Sequence, residues 1–488
     1  MYLDPSLITN YVDIQDLIQI NMIILLIKYT FYTIWIVPAY RLAMTFKSWR
    51  KNFSFYSVQE LAEEIKTIEG KISVLIPARN SENYIISSIL SAFNQSVPPK
   101  SIYILNDNST DNTIKKVMNF ISQKNGKLKR VIYKDKYIFI SYDVKRSDGI
   151  QVEINVVDFK EHMGKPSMIN EVLPSLNDKV DYVLILDSDT IIERRYIEKM
   201  LVFLNRDSKL AGVNGTILLW KPEKEGRFSW FFAKAFRNLA SLYYLLTLRF
   251  SETVFNSVNS LNGSCSIYKL KPLLEIGGIP TDTYVEDSST SWHLQLLGYS
   301  VAYIPTAYSF TVDPSSPKRF FSKVLRITVG IQKLFLTRLP KLIKKKKYNL
   351  LLTSIYTSFG SLPFILMIAN TINSIILASL GIYSSSILEK MYEIFQFTPI
   401  SIILLAFLKY PIIYLILSYV TGVLEVVAAY YFLRIIYKDE KIIRNALDRS
   451  KSGLILVPLI LWVQSFIALI AFPITVFQIL AKKKLSKW

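Results

Sequence analysis

Residues Tyr182 to Asp189 read Tyr-Val-Leu-Ile-Leu-Asp-Ser-Asp, an apolar run that ends abruptly in two carboxylates one residue apart. Four consecutive aliphatic side chains between polar flanks mark a short strand covered on both faces. Asp187 and Asp189 then fall just past its carboxyl end, where open α/β sheets hold their ligands. Such a pair suits a hard divalent cation, Mg2+ or Mn2+, which in turn suits phosphate oxygens. An idle Asp-Ser-Asp turn has the same letters, so the weight falls on the company this stretch keeps.

Composition narrows the class. The 488 residues are long enough for two or three domains, and 51% of them are hydrophobic although 20% are charged. A mean hydropathy of +0.28 is high for a soluble enzyme and points to a globular part joined to membrane spans. One cysteine, Cys265, excludes an intrachain disulfide framework, and two histidines, His162 and His293, leave no histidine-rich metal centre. The net charge of +20 is concentrated beside apolar segments, which suits anionic lipid headgroups and a diphosphate substrate. A nucleic-acid partner is not expected, because it calls for basic residues interleaved with aromatics on the soluble part.

Along the chain, residues 1–48 carry an apolar stretch from Leu17 to Met44, too long for a signal-peptide core. Acidic Asp4, Asp13 and Asp16 precede it and Lys47, Arg50 and Lys51 follow, placing the next domain in the cytoplasm of a cell-membrane protein. Residues 49–317 alternate strand-like and helix-like runs, the pattern of an α/β sheet. Ile72 to Pro77 and Ser101 to Leu105 are strands, Ser81 is a candidate helix N-cap, and Ser147-Asp148-Gly149 marks a hairpin within 129–157. Residues 318–349 mix apolar and basic residues at helical spacing, as in helices lying on a bilayer. Residues 350–488 hold three apolar stretches, about 350–383, 398–437 and 453–481, worth three or four spans. Basic loops at 438–451 and 482–487 flank a single span, so either that span is re-entrant or one charge signal misleads.

Five features line up in order: Ile76-Pro77-Ala78-Arg79-Asn80-Ser81, Asn106-Asp107-Asn108-Ser109, Gly164-Lys165 with Asn170, Asp187-Ser188-Asp189, and Val285-Glu286-Asp287 followed by Gly298. Together with "LNGSCSIYKLKPLLEIGG" they resemble the family 2 inverting glycosyltransferases, in the membrane-embedded branch of the cellulose, chitin and hyaluronan synthases. The resemblance covers residues 70 to 335. It implies a GT-A nucleotide-diphospho-sugar fold, flanked here by transmembrane helices. It also implies a nucleotide-sugar donor, with Pro77, Ala78, Asn80, Asp107, Lys165, Asp187, Gly263, Ser264 and Arg326 contacting substrate. Asp189 and Asp187 would hold the metal, and Asp287, beside Glu286, would be the general base. The acceptor would be a polysaccharide or a lipid-linked glycan. A polyprenyl-phosphate sugar synthase is the alternative. A transporter with a regulatory soluble domain is weaker, resting on Lys409 and Glu425 within apolar stretches.

Two departures from the family pattern stand out. Asn106-Asp107 replaces the paired aspartates, and Lys323-Val324-Leu325-Arg326-Ile327 replaces a Gln-x-x-Arg-Trp motif. Ile327 offers no aromatic face to a sugar, which predicts that one or a few sugars are added before the acceptor is released.

Overall fold

The computed structural model describes residues 71–359 apart from 239, 241–248, 250, 251 and 254, scattered positions from 419 to 435, and 441–481 apart from 450. The stretches 17–44, 360–383 and 398–418, with Lys409 and Glu425, lie outside the described residues.

Alternating apolar residues build the centre. In β1 (Ile72–Ala78), β2 (Ser101–Asp107) and β6 (Tyr182–Leu186) every residue is buried. Successive side chains point to opposite faces, so each strand feeds two cores. Val74, Ile76, Ile102, Ile104, Leu184 and Leu186 meet α1 (Ile85–Phe93), α2 (Thr113–Gln123) and α4 (Tyr196–Arg206). Leu75, Tyr103, Leu105, Val183 and Ile185 meet α3 (Lys165–Val172) and α6 (Leu270–Glu275).

The remaining strands are β3 (Lys127–Tyr133), β4 (Tyr137–Lys145), β5 (Gln151–Phe159), β7 (Thr190–Ile192), β8 (Leu210–Pro222), β9 (Cys265–Lys269) and β10 (Ser300–Asp313). They join one ten-stranded sheet in the order β3-β4-β5-β2-β1-β6-β9-β8-β10-β7. Strands β5, β2, β1 and β6 run parallel, while β9 inserts antiparallel between β6 and β8. The crossover from β6 to β7 carries Ser188 and Asp189 across the carboxyl edge, and β7 pairs with β10 at the far end. The expected hairpin forms between β4 and β5, with Gly149 at φ +89° in its turn.

Ser81 does not cap α1. The helix starts four residues later, and the Ser81 hydroxyl instead lies 2.7 Å from that of Ser188.

The basic segment after residue 317 is one helix, α8 (Pro317–Lys344), started by Pro317 in its first turn. Phe320 and Val324 pack against Phe232 and Phe236 of α5 (Arg227–Asn238) and Val457 and Ile460 of α11 (Val457–Leu480). Farther along, Leu334, Phe335 and Leu342 pack on Val285 and on Trp292 of α7 (Glu286–Leu296). Helices α9 (Tyr348–Phe359) and α10 (Lys441–Arg449) complete the described α-helices, and short 3-10 turns occupy Leu173–Leu176 and Lys451–Leu456. Among the described residues no helix is long and apolar enough to cross a membrane. The side chains at 461, 462, 465 and 469 of α11 lie outside that set. On its described surface Leu459, Val463, Phe466, Phe472, Phe477 and Leu480 are exposed.

One ion pair ties the helical part to the sheet. The Arg237 Nε donates to Asp313 Oδ2 at 2.6 Å, a second guanidinium nitrogen reaches Oδ1, and Asp313 is fully buried. Removing one member leaves the other charge buried without its counterion. Asp313→Ala is expected to cost about 3–5 kcal/mol of stability, measured as a lowered thermal-unfolding midpoint in detergent. An unchanged midpoint contradicts this account of the α5–β10 junction.

Candidate active site

The carboxyl edges of β1, β2 and β6 deliver three loops to one place. Asp107 ends β2 and is buried. Its Oδ1 accepts from Met163 N at 2.6 Å, and its Oδ2 from Gly164 N at 3.1 Å and His162 Nδ1 at 2.7 Å. This grip shapes the turn into α3, where Gly164 takes φ +82°, a conformation that strains any residue with a Cβ. Lys165 follows at the first position of the helix.

The Lys165 ammonium is the hub. It donates to Asp187 Oδ1 at 2.6 Å and to the Gly263 carbonyl at 2.7 Å, with Glu286 Oε1 at 3.6 Å. Burial alone would lower its pKa, but the Asp187 and Glu286 carboxylates outweigh burial and raise it. Burial raises the Glu286 carboxyl, Lys165 opposes this, and the neighbouring Asp287 adds to it. Asp187 N donates to the Ser264 carbonyl at 2.8 Å, closing β6 onto the segment before β9.

Asp287 sits at the start of α7. Its Oδ2 accepts from Gly263 N at 3.1 Å and its Oδ1 from Ser288 N at 2.8 Å. Lys165, Gly263, Tyr268, Glu286, Asp287 and Thr290 line one small cavity. The sequence-derived residues Lys165, Asp187, Gly263, Ser264, Glu286 and Asp287 are thus brought together from four separate segments.

Four others, Pro77, Ala78, Asn80 and Arg326, lie on neighbouring segments. Pro77 and Ala78 pair with Leu105 and Asn106 where β1 meets β2. Asn80 takes φ +49°, and its Oδ1 accepts from Thr110 N at 2.8 Å, tying the β1 and β2 loops together. Arg326, on α8, reaches the Tyr284 carbonyl at 3.5 Å, beside the loop that carries Glu286. Gly330, one turn on, lets α8 approach that loop: a Cβ there would lie 2.9 Å from Val285 Cγ1. Ile327 is half-buried against the Val285–Trp292 cluster rather than standing in open space.

Asp189 is half-buried, and burial pushes its carboxyl up to about 6, with repulsion from Asp187 adding to the rise. The charge of Lys323, the lysine standing in the motif's glutamine position, opposes the shift. The Asp187 charge raises the proton affinity of Asp189, a crowding of two hard carboxylates that a divalent cation would relieve. Among the described residues no group of three or more His, Cys, Asp or Glu side chains is arranged to hold a metal. Asp187 and Asp189 therefore fit a cation that takes its other ligands from substrate or water.

Sequence reading missed the bracing behind this motif. Ser88 Oγ on α1 lies 2.7 Å from both the Ser188 and Thr190 carbonyls. It missed His162 behind Asp107, and also Tyr84 and Trp220, which meet edge-on at 6.2 Å with the Lys221 ammonium over both rings. Asp189 is among the charges that raise the Tyr84 phenol, after burial and Glu223, so this aromatic pair stands near the metal motif. Aromatic–basic spacing at 220–221 was the available signal, but nothing local connected it to Asp189.

A carboxylate pair at the edge of a parallel sheet, a lysine clamped between it and the β9 segment, and an aspartate at a facing helix start thus lie together at the carboxyl edge of the sheet. The chain belongs to the glycosyltransferases: the family described as Glycosyl transferase family group 2 matches residues 182–436, and Glycosyl transferase family 2 matches residues 73–136. Its sheet is the mixed α/β, GT-A-like arrangement of that family.

Among its relatives is the poly-beta-1,6-N-acetyl-D-glucosamine synthase of Staphylococcus epidermidis, 22% identical over 349 residues, which are 72% of this chain and 75% of that protein. The synthase of the same name from Staphylococcus aureus is 26% identical over 286 residues, 59% of this chain and 60% of that one. A mannosyltransferase of Pyrobaculum calidifontis, solved with GDP-mannose and Mn2+, superposes with a TM-score of 0.41 at 15% identity, covering 77% of this chain and 98% of that one.

Asp189 also sets a trade between stability and chemistry. A carboxyl whose folded pKa is raised is most favourable when protonated, and it loses that advantage as pH rises through about 6. Asp189→Asn, neutral at every pH, is expected to stabilise the metal-free protein at pH 7 by about 1–3 kcal/mol and to leave it unchanged at pH 4. Thermal unfolding in EDTA at both pH values checks this; destabilisation at pH 7 contradicts the origin assigned to the shift.

Proposed function

We propose that this enzyme is a membrane-bound, inverting transferase that moves N-acetylglucosamine from its UDP conjugate to the end of a growing polysaccharide on the cytoplasmic side. One observation carries the reading: Lys165 joins Asp187 to the Gly263 segment, and that segment's backbone holds Asp287 in the same cavity. A diphosphate subsite and a base are thereby set at a fixed separation.

The roles follow from charge and geometry. Asp187 and Asp189 would hold a divalent cation, Mg2+ or Mn2+, which when bound would neutralise charge developing on the leaving diphosphate. Lys165 adds a fixed positive charge from the side of α3, and Arg326 offers another from α8. Asp107 spends three of its roughly four acceptor positions on the 162–164 loop and keeps one for a uracil N–H. Pro77, Ala78 and Asn80 shape the edge on which the base rests. Asp287 takes the proton of the attacking hydroxyl, and two backbone N–H groups keep its carboxylate aimed. No second carboxylic acid is needed, because a nucleoside diphosphate leaves without protonation, unlike the alkoxide of a glycoside.

The sugar and the polymeric product are supported by the poly-N-acetylglucosamine synthases among the relatives. The membrane is supported by the sequence's apolar stretches, by the exposed apolar side chains of α11 and by the net charge of +20. Ile327 favours a short product, whereas Tyr84 and Trp220 supply aromatic faces near Asp189 that the motif position lacks.

Detergent-solubilised enzyme given Mn2+ and a panel of nucleotide sugars is expected to release UDP from UDP-N-acetylglucosamine and to make labelled material that elutes as polymer on gel filtration. Product of only a few sugars assigns the chain to single or short additions instead, and no release from any UDP-sugar rejects the donor. Asp287→Asn keeps the shape but cannot take a proton, so transfer is expected to fall by about 10² or more while UDP binding by calorimetry stays near that of the parent. Parallel loss of both makes Asp287 structural and places the base elsewhere.

A further inference from the structure

A second cleft lies away from the catalytic cavity, between the β3–β4 edge of the sheet and the far end of α3. Its floor is aromatic: Tyr103 of β2 with Tyr137 and Phe139 of β4. Its rim is cationic, with Arg130, Lys134 and Lys179. The Arg130 guanidinium stands 5.0 Å over the Phe139 ring and the Lys134 ammonium 5.5 Å over that of Tyr137. Among the described residues no carboxylate lies within ion-pair distance of these three cations. The one acid in the lining, Glu171, is held by Lys136 at 3.2 Å. Helix α3 separates the two sites, with Lys165 at its start and Glu171 and Val172 at its end, roughly 10 Å along the axis at 1.5 Å per residue.

We infer that this cleft is a binding site for a nucleoside phosphate distinct from the sugar donor. Three cations without counterions make the site selective for an anion carrying more than one charge. The Arg130 guanidinium lying over the Phe139 ring offers its outer face as a stacking surface for a flat, electron-rich base. Neither feature serves the transfer reaction, which uses groups at the opposite end of α3. The hairpin that brings Arg130, Lys134 and Phe139 to the cleft is likewise unused by the catalytic site.

The test uses the full chain in detergent and two photoreactive probes, 8-azido-ATP and 8-azido-GTP, with excess UDP and Mn2+ present to fill the donor site. Label is expected on a peptide from residues 127–145, competed by unmodified ATP or GTP and not by further UDP. Arg130→Ala with Lys134→Ala is expected to cut that labelling by about 10-fold or more, while UDP binding stays unchanged. Phe139→Leu, which keeps bulk but removes the ring, is expected to weaken it as well. Lys165→Ala, which damages the donor site, is expected to leave it intact, so failure of the donor assignment and failure of this one are told apart. Absence of label from 127–145, competition by UDP, indifference to the Arg130 and Lys134 changes, or displacement only by an acidic peptide or anionic oligosaccharide overturns the inference.

Discussion

The contact between Lys165 and Asp187 is the constraint on which the site depends. A partly buried ammonium is unfavourable unless its donors are satisfied, and here they are satisfied by groups from three different parts of the chain. Asp187 comes from the end of β6, the Gly263 carbonyl from the approach to β9, and Glu286 from the start of α7. Holding one cation therefore fixes the mutual position of Asp187 and of the start of α7 that carries Asp287. It also explains why Asp107 spends so many hydrogen bonds on a loop, since the 162–164 turn is what aims Lys165.

Much of the scaffold was legible because local rules and long-range packing agree there. β1, β2 and β6 are apolar runs that form where periodicity places them, although β1 continues past Pro77 to Ala78 and β2 runs on through Asn106 and Asp107. The β4–β5 turn follows from Ser147-Asp148-Gly149, where Asp148 accepts from Ile150 N. The candidate residues were legible as types in an order, not as contacts. Nothing within a few residues of Lys165 states that its partners lie 22 and 98 positions away.

Where reading failed, a tertiary partner outbid a local one. Ser81 has the right chemistry for a helix cap, but the β6–β7 crossover lies within reach and takes its hydroxyl. The three-residue strand β7 is too short for any periodicity to announce it, and it exists because β10 offers an edge to pair with. The basic run after residue 317 reads as an amphipathic helix lying on a bilayer, and it forms one helix whose buried side chains, Phe320 and Leu334 among them, pack against α5, α7 and α11. Its apolar face was visible in the sequence, but what covers that face was not.

Helix α8 has a mechanical consequence. At Gly330 it lies against Val285 with no space for a methyl group, and at Arg326 it reaches the Tyr284 carbonyl, so it is pressed onto the strap that ends in Asp287. Two residues beyond Gly330, the Gln332 side chain reaches the Ala468 carbonyl and the Thr475 hydroxyl of α11, both at 3.2 Å. Helix α8 is thus held at neighbouring points by the Tyr284–Val285 segment and by α11, so the packing of α11 bears on where the turn that leads into Asp287 sits relative to Lys165 and Asp187.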